Sequence, residues 1–120
     1  MEEWCYKELR EYVAEVFNNS INDGLDALQA GGRCLYELAN VIEEGKTEKA
    51  IFYASLAYLQ IEKGVLSQRI LNEVKSIIKD FNKDKFVNEL GLDDAQNLSE
   101  VLQAVEATLH SVEIINDVTL

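Results

Sequence analysis

The stretch Ile51-Phe52-Tyr53-Ala54-Ser55-Leu56-Ala57-Tyr58-Leu59 decides the fold, because its apolar side chains would cover nearly every face of a helix. A helix that is apolar all round is buried, so we predict one over about 48–63 at the centre of the domain. We expect Tyr53 and Tyr58 to lie in the core with it, each hydroxyl group finding a hydrogen-bond partner. The alternative is an aromatic patch that is exposed for a partner or for dimerisation. The run is much too short to span a bilayer, which takes about 20 apolar residues.

Outward from this stretch, apolar residues recur at spacings of three and four along the chain, which is typical of amphipathic helices. The sequence contains no proline, and no Asn-Gly or Asp-Gly pair separates two alternating runs. The predicted fold is therefore all-α: a single domain over residues 1–120, built as an antiparallel helical bundle or as stacked helical hairpins of about five to six helices. The other predicted helices cover about 3–18, Leu25 to Gly45, 67–82, 85–90 and 94–116.

The predicted ends of these helices depend on capping residues. Asn18-Asn19-Ser20 ends the first helix, and Asp23 with Asp26 three residues later resembles a capping pair for the second. In the first helix we expect Cys5, Leu9, Val13, Val16 and Phe17 to point inward. The remaining predicted caps and stops are Gly45, Thr47, Gly64, Ser67, Gly91 and, for the last helix, Asp93 or Asn97.

A glycine pair, Gly31-Gly32, falls inside the second predicted helix. Two glycines cost about 2 kcal/mol of helix propensity relative to alanine, so either another helix crosses closely there or the helix breaks. We favour the close crossing, because the spacing of three and four continues in phase across the pair. The predicted inward seam consists of Leu25, Leu28, Gly32, Leu35, Ala39 and Ile42.

Composition excludes a disordered chain and argues against some partners. Of the 120 residues, 48% are hydrophobic and 28% are charged, which suffices for a core and a solvated surface. The net charge of -11 disfavours direct binding to nucleic acid or to an anionic membrane, because affinity for both comes mostly from Lys and Arg. The first residues lack the basic and apolar regions of a signal peptide, so we expect a cytoplasmic protein.

The acidic excess is unevenly distributed. Residues 1–46 carry ten acids and four bases, 47–83 carry four acids and six bases, and 84–120 carry eight acids and one base. One explanation is solubility, with Lys75, Lys79 and Lys83 facing the acidic last helix. The other is a basic protein partner, since acidic faces accelerate association with basic surfaces. The predicted partner-binding residues are Glu89, Asp93, Asp94, Glu100, Glu106, His110, Glu113 and Asp117. The acids of the first two helices are the alternative interface.

Little in the sequence suggests catalysis. Neither the phosphate-binding nor the dinucleotide-binding glycine motif is present. We expect Cys5 and Cys34 to be free thiols on apolar faces, with a disulfide between the first two helices as the alternative. A buried thiol is inert, and His110 is the single histidine available as a base. We therefore predict a protein that is not an enzyme and that holds no cofactor.

A metal site is the remaining chemical interpretation. Glu106, His110, Glu113 and Asp117 follow one another at steps of four, three and four, so they would share one face of the last predicted helix. Carboxylates and imidazole at that spacing can hold a divalent metal, but di-iron helical bundles need a Glu-x-x-His motif on each of two helices. Because this face points away from the apolar one, we expect it to be solvated or partner-binding, with no metal.

In size, acidity, helicity and lack of catalytic groups, the chain resembles the small immunity proteins with which bacteria neutralise nuclease toxins. The resemblance implies an inhibitor whose acidic side chains cover a basic active site, with Trp4 or Tyr6 near the interface. An antitoxin, or a phage-encoded inhibitor that imitates nucleic acid, fits the same properties. A helical scaffold, adaptor or homodimer is the alternative, suggested by the apolar run and the hairpin-like segment 35–59.

Overall fold

A computed structural model describes residues 6–116, and this part of the chain is mostly helical. Seven helices and two short strands occur within it. They are α1 (Tyr6–Asn22), α2 (Ala27–Glu37), α3 (Ala39–Glu44), α4 (Lys46–Glu62), β1 (Val65–Ser67), α5 (Gln68–Lys79), α6 (Lys83–Leu90), α7 (Leu92–Ala107) and β2 (Glu113–Ile115).

The helix α4 lies at the centre of the fold, as its apolar run predicts. Helices α1, α2, α3, α5 and α7 all pack against it. Every side chain from Ala50 to Ala57 is buried, including Tyr53, whereas Tyr58 is 44% exposed. The expectation that Tyr58 belongs to the core is therefore wrong, because this residue lies where α4 reaches the surface. Thr47 is buried in the first turn and is not the N-cap, which is Gly45.

The glycine pair marks a close crossing of α2 and α4, and the helix continues through it as expected. A Cβ atom at Gly31 would overlap the side-chain amide nitrogen of Gln60, whereas nothing lies within 4 Å of one at Gly32. Gln60 is fully buried and joins two neighbouring elements. Its Nε2 donates to the carbonyl oxygen of Ala27 at 3.1 Å, and its Oε1 accepts from the backbone N–H of Ser67 at 3.1 Å.

The buried face of the second helix differs from the predicted one. The segment that was predicted as one helix forms two, α2 and α3. The buried residues of α2 are Ala27, Ala30, Gly31 and Cys34, whereas Gly32 is exposed. The chain leaves helical geometry at Leu38, so Ala39 and Ile42 belong to α3. The large residues Leu28 and Leu35 are half-buried, because small side chains face α4 where the two helices cross closely.

The described chain is mostly helical, as predicted, with one small two-stranded parallel sheet that was not expected. The last helix ends at Ala107 instead of continuing to 116, and Thr108 follows as its C-cap. The strand β2 then pairs in parallel with β1, Val65 opposite Glu113, and the Glu113 N–H donates to the carbonyl oxygen of Gly64. The β-branched side chains of this segment, which favour strands, are Val112, Ile114 and Ile115.

Several other helix ends differ from the predicted ones. The helix α1 continues through Ser20, whose hydroxyl donates to the Val16 carbonyl at 2.8 Å, and its inward residues from Leu9 to Phe17 are buried as expected. Asp26 caps α2 in a capping box with Gln29, so Asp23 is not the cap. Ser67 caps α5 as predicted, but α5 ends at Lys79 and not near 82. Gly91 both ends α6 and precedes α7, so Asp93 and Asn97 lie inside α7.

Candidate functional site

An open groove of about 570 Å³ runs between α1, α4 and α7. The groove follows the exposed edge of α4, between α1 and α7. We call it the acidic groove, after the side chains that give it its chemical character: Tyr6, Arg10 and Glu11 of α1, Tyr58 and Glu62 of α4, and Glu100 of α7.

The acidic groove combines negative charge with an accessible aromatic ring. Glu11, Glu62 and Glu100 come from three different helices, so packing of the helices, and not local spacing, brings these carboxylates to one groove. In the described part of the chain, Arg10 is the one cation that lines the groove, and its guanidinium carbon lies 5.5 Å from the ring centre of Tyr6. The half-exposed Tyr58 ring provides apolar surface beside the carboxylates. Such a combination suits a partner that carries Lys or Arg side chains.

The pKa of the buried Tyr6 phenol depends on charged residues of α7. Burial raises the pKa of Tyr6, and the negative charges of Asp94 and Glu100 raise it further, whereas Arg10 lowers it. Tyr6 is 3% exposed, so it belongs to the floor of the groove and not to its accessible rim. The phenol therefore stays neutral near pH 7, and the electrostatic field of α7 extends into the groove.

Three of the predicted partner-binding acids lie on the groove side of α7. Asp93, Asn97 and Glu100 are spaced by four and three, so they share one face, and the last two line the groove. Asp94 lies in the first turn beside Asp93 and acts on Tyr6. Both aspartates also interact favourably with the positive end of the helix dipole. Asp93 and Glu100 thus share the groove face of α7, and Asp94 adjoins it.

Glu106 lies on another side of α7. It lines a smaller cavity of about 170 Å³ with Lys75 and Lys79 of α5, so these lysines do face the acidic helix. Lys83 belongs to α6, and its Nζ donates to Gln96 Oε1 at 2.5 Å. The structure places Glu89, a further predicted residue, on α6 and exposes it to solvent.

The face predicted from Glu106, His110, Glu113 and Asp117 is not formed as a helix face. His110 lies in the turn after α7, Glu113 lies on β2, and Asp117 lies outside the described residues. The spacing that would align them applies only while the helix continues, and α7 ends at Ala107. Within residues 6–116, no three metal-binding side chains come close enough to hold an ion.

Sequence reasoning missed Glu62 as a site residue, whereas Glu11 is one of the acids of the first two helices and Tyr58 belongs to the exposed aromatic patch, both of which were alternatives. A signal for Glu62 was present: it follows Tyr58 by four residues, so a carboxylate shares the helix face of a tyrosine inside the apolar run. A charged residue at that spacing indicates that this edge of the helix reaches solvent. Trp4, expected near an interface, lies outside the described residues.

Cys34 has no catalytic environment. Its thiol is free and fully buried, and its Sγ lies 3.8 Å from the carbonyl oxygen of Val13. Burial, with a smaller effect of Glu37, raises the pKa of Cys34 to about 12, so the thiol is protonated at neutral pH and unreactive. Cys5, the other cysteine, lies outside the described residues. Among the described helices, none is both long and apolar enough to cross a membrane.

Comparison with known proteins assigns the chain to a family. The model of a protein family described as "Immunity protein Imm3" matches residues 2–119, which is nearly the whole chain. No curated protein and no solved structure matches this chain.

Proposed function

The chain belongs to the Imm3 family of immunity proteins, which makes it an immunity protein against a bacterial toxin, and we propose that it binds a basic surface of that toxin in the acidic groove. The observation that carries the proposal is the convergence of Glu11, Glu62 and Glu100 from three helices around the half-exposed ring of Tyr58. An aromatic ring held by a rigid helix beside charged groups is typical of the residues that contribute most to protein–protein affinity.

The charge of the groove indicates the class of toxin. A toxin that cleaves nucleic acid binds phosphate groups with Lys and Arg, so its active site is the kind of basic surface that this groove complements. We therefore propose a toxin of the nuclease type, inhibited by occlusion of its active site. The immunity protein itself needs no catalytic group for this, and it acts in the cytoplasm, where the nuclease would meet its substrate.

Of the acids predicted from sequence, the proposal assigns Asp93, Asp94 and Glu100 to the toxin interface. Asp93 and Glu100 share the groove face of α7, and Asp94 adjoins it. Glu106 lies on another side of α7, where it lines a separate cavity with two lysines of α5. This difference between two glutamates of one helix supplies a matched pair of variants.

The test compares Glu100→Lys with Glu106→Lys. The immunity protein is first used at low salt to capture its toxin from the producing bacterium, and mass spectrometry of fractions eluted with rising salt identifies it. The binding kinetics of the toxin with each variant are then measured at several salt concentrations. We expect Glu100→Lys to weaken binding at least tenfold, mostly through slower association, and Glu106→Lys to change it less than threefold. Both side chains are exposed, so both variants should fold.

The salt series separates charge steering from other effects. The difference in association rate between the two variants should shrink as salt rises, because screening weakens exposed charges. Equal losses of affinity in the two variants, or a larger loss for Glu106→Lys, would place the interface away from the acidic groove. Capture of a toxin whose binding does not depend on salt would contradict the basic partner.

A further inference from the structure

We propose that the toxin interface does not end at the acidic groove but continues across α1 onto the outer face of α2, where Tyr36 is a second anchor for Lys and Arg side chains of the same toxin. This inference rests on the proposed function. We call the second region the Tyr36 face, and its residues are Gly32, Tyr36, Glu37, Asn40 and Glu43.

Tyr36 is the most exposed large apolar side chain in the described part of the protein. It is 85% exposed, compared with 44% for Tyr58 and 37% for Tyr12. Burying a large aromatic side chain contributes strongly to stability, so a ring left this open on a helix gives up that contribution in the free protein. The helix that carries it is well fixed, by the Asp26 capping box at its start and by the close contact of Gly31 with Gln60. Tyr36 therefore offers contact area at a small cost in conformational entropy.

Exposed carboxylates that lie close to Tyr36 in the sequence favour a cation as its partner. Glu37 follows it directly, and Glu43 and Glu44 are exposed on the next helix. The cation of the same helix, Arg33, is bound to Asp23 at 3.0 Å. A Lys or Arg side chain of a partner would be attracted by these carboxylates and could stack on the ring. A second copy of this chain would instead bring like charges together, which disfavours a homodimer through this face.

The Tyr36 face and the acidic groove lie on opposite flanks of the outer surface of α1. Helices α1 and α2 are joined by a short turn and pack together, with Cys34 Sγ close to the carbonyl oxygen of Val13. Tyr12 precedes Val13 by one residue and Tyr36 follows Cys34 by two. In an antiparallel pair, going back one residue along α1 and forward two residues along α2 both lead towards the same end of the pair. The two tyrosines are therefore offset along the helix axes by only about 1.5 Å.

The surface of α1 between the two regions is mainly acidic. At about 100° per residue, the exposed side chains met in going round α1 from the groove include Lys7, Glu11, Glu15, Glu8, Asn19 and then Tyr12 on the flank towards α2. Three of these are carboxylates and one is a lysine. The distance crossed is one helix diameter, about 10 Å. A stable interface takes about 20–30 residues from each partner, which the groove alone cannot supply. The groove, the acidic surface of α1 and the Tyr36 face together form one continuous surface for a basic partner.

Site-specific photocross-linking in the producing bacterium tests this arrangement. The cross-linking residue p-benzoylphenylalanine replaces Tyr36, Tyr58 or, as a control, the exposed Asn72 of α5. We expect the Tyr36 and Tyr58 positions to give adducts with one and the same protein, and Asn72 to give none. That protein must be toxic to cells that lack the immunity protein.

Each other result has a definite meaning. Adducts from Tyr58 but not from Tyr36 would overturn this inference and leave the proposed function standing. Adducts of the toxin from Tyr36 alone would overturn the groove and the continuous surface together, and an adduct of two copies of this chain at Tyr36 would make the occupant a homodimer. If neither position gives an adduct in protected cells, both proposals are wrong.

Binding by variants of Tyr36 supplies a second readout. Tyr36→Ala should weaken binding of the captured toxin at least tenfold, whereas Tyr36→Phe should change it less than threefold, because the ring and not the hydroxyl group makes the proposed contact. Tyr36 is almost fully exposed, so neither change should affect folding. Equal binding by the Ala variant and the unaltered protein would contradict an anchor at this position.

Discussion

Replacing each of the two adjacent glycines of α2 by alanine should change stability in opposite directions. Gly31 meets the side-chain amide of Gln60, so a methyl group there has no room, whereas a methyl group at Gly32 points into open space. In both cases alanine favours the helix by about 1 kcal/mol relative to glycine. The comparison therefore isolates the close crossing of α2 and α4 from the helix propensity that the two positions share.

The magnitude follows from what Gln60 must give up. It is fully buried, and a methyl group at Gly31 would displace its amide from the Ala27 carbonyl and the Ser67 N–H, both 3.1 Å away. Lost hydrogen bonds and unsatisfied buried polar groups cost about 2–4 kcal/mol here. After the gain in helix propensity, Gly31→Ala should lower the free energy of unfolding by about 1–3 kcal/mol. Gly32→Ala should raise it by about 1 kcal/mol.

Urea unfolding followed by far-ultraviolet circular dichroism measures both values. A third and a fourth protein, Gln60→Ala alone and with Gly31→Ala, complete a double-mutant cycle. The shortened side chain leaves room for the new methyl group, so Gly31→Ala should cost little or stabilise in that background. Equal changes in the two single glycine variants, or an unchanged cost of Gly31→Ala beside Gln60→Ala, would refute the close-contact explanation.

Two further predictions concern a helix cap and a buried thiol. Asp26→Ala should lower the free energy of unfolding by about 1 kcal/mol, because it removes the capping box. Asp23→Ala removes only an exposed ion pair with Arg33 and should lower it less. Urea unfolding of both variants decides which aspartate is the cap. The pKa of Cys34 rises to about 12 on folding from an ordinary value of 9.0, so the unfolded state loses the proton first and stability falls as pH rises above 9. Loss of the Cys34 proton in the unfolded state gives a slope of up to about 1.4 kcal/mol per pH unit, so the slope between about pH 9 and 10 should be smaller in Cys34→Ala. Tyr6 and Tyr53, whose pKa values are also raised, contribute equally to both proteins.

The centre of the fold could be predicted because it depends on local pattern. A helix apolar on almost every face has no stable place except the core, and α4 is found there. The crossing at the glycine pair was predictable for the same reason, since the apolar spacing continued through it. The identity of the contacting atom was not, because Gln60 is polar and its burial depends on partners in α2 and β1 that are distant in sequence.

The two strands escaped prediction because three-residue strands carry almost no periodic signal. Each is stabilised by pairing with the other, and β1 and β2 are separated by three helices. The segment after Ala107 continues the helical spacing of Leu109 and Val112, so sequence alone extends the last helix. That error also aligned His110 and Glu113 with Glu106, and it produced a helix face that does not exist.

The apolar pattern of α4 also explains why the scaffold hypothesis arose and why the structure gives it little support. An apolar helix can serve a core or an interface with a second copy, and sequence does not distinguish the two. In the structure the apolar side chains of α4 are covered by other helices of the same chain, and Tyr58 is its main exposed ring. Carboxylates border the exposed part of α4. They would attract a basic partner and repel an identical copy of the chain, which carries the same charges.

The placement of the acids connects the fold to the proposed inhibition. Glu11, Glu62 and Glu100 lie on separate helices around one groove, and Arg10 is the single cation that lines it among residues 6–116, so folding itself brings an excess of negative charge together. That repulsion opposes the folded state, and a basic toxin surface would relieve it on binding. Glu106 on the same helix lines a different cavity, whose other charged residues are Lys75 and Lys79. The acids of α7 thus have acidic neighbours at the groove and lysines on the other side, and this contrast is the reason to look for the toxin at the groove.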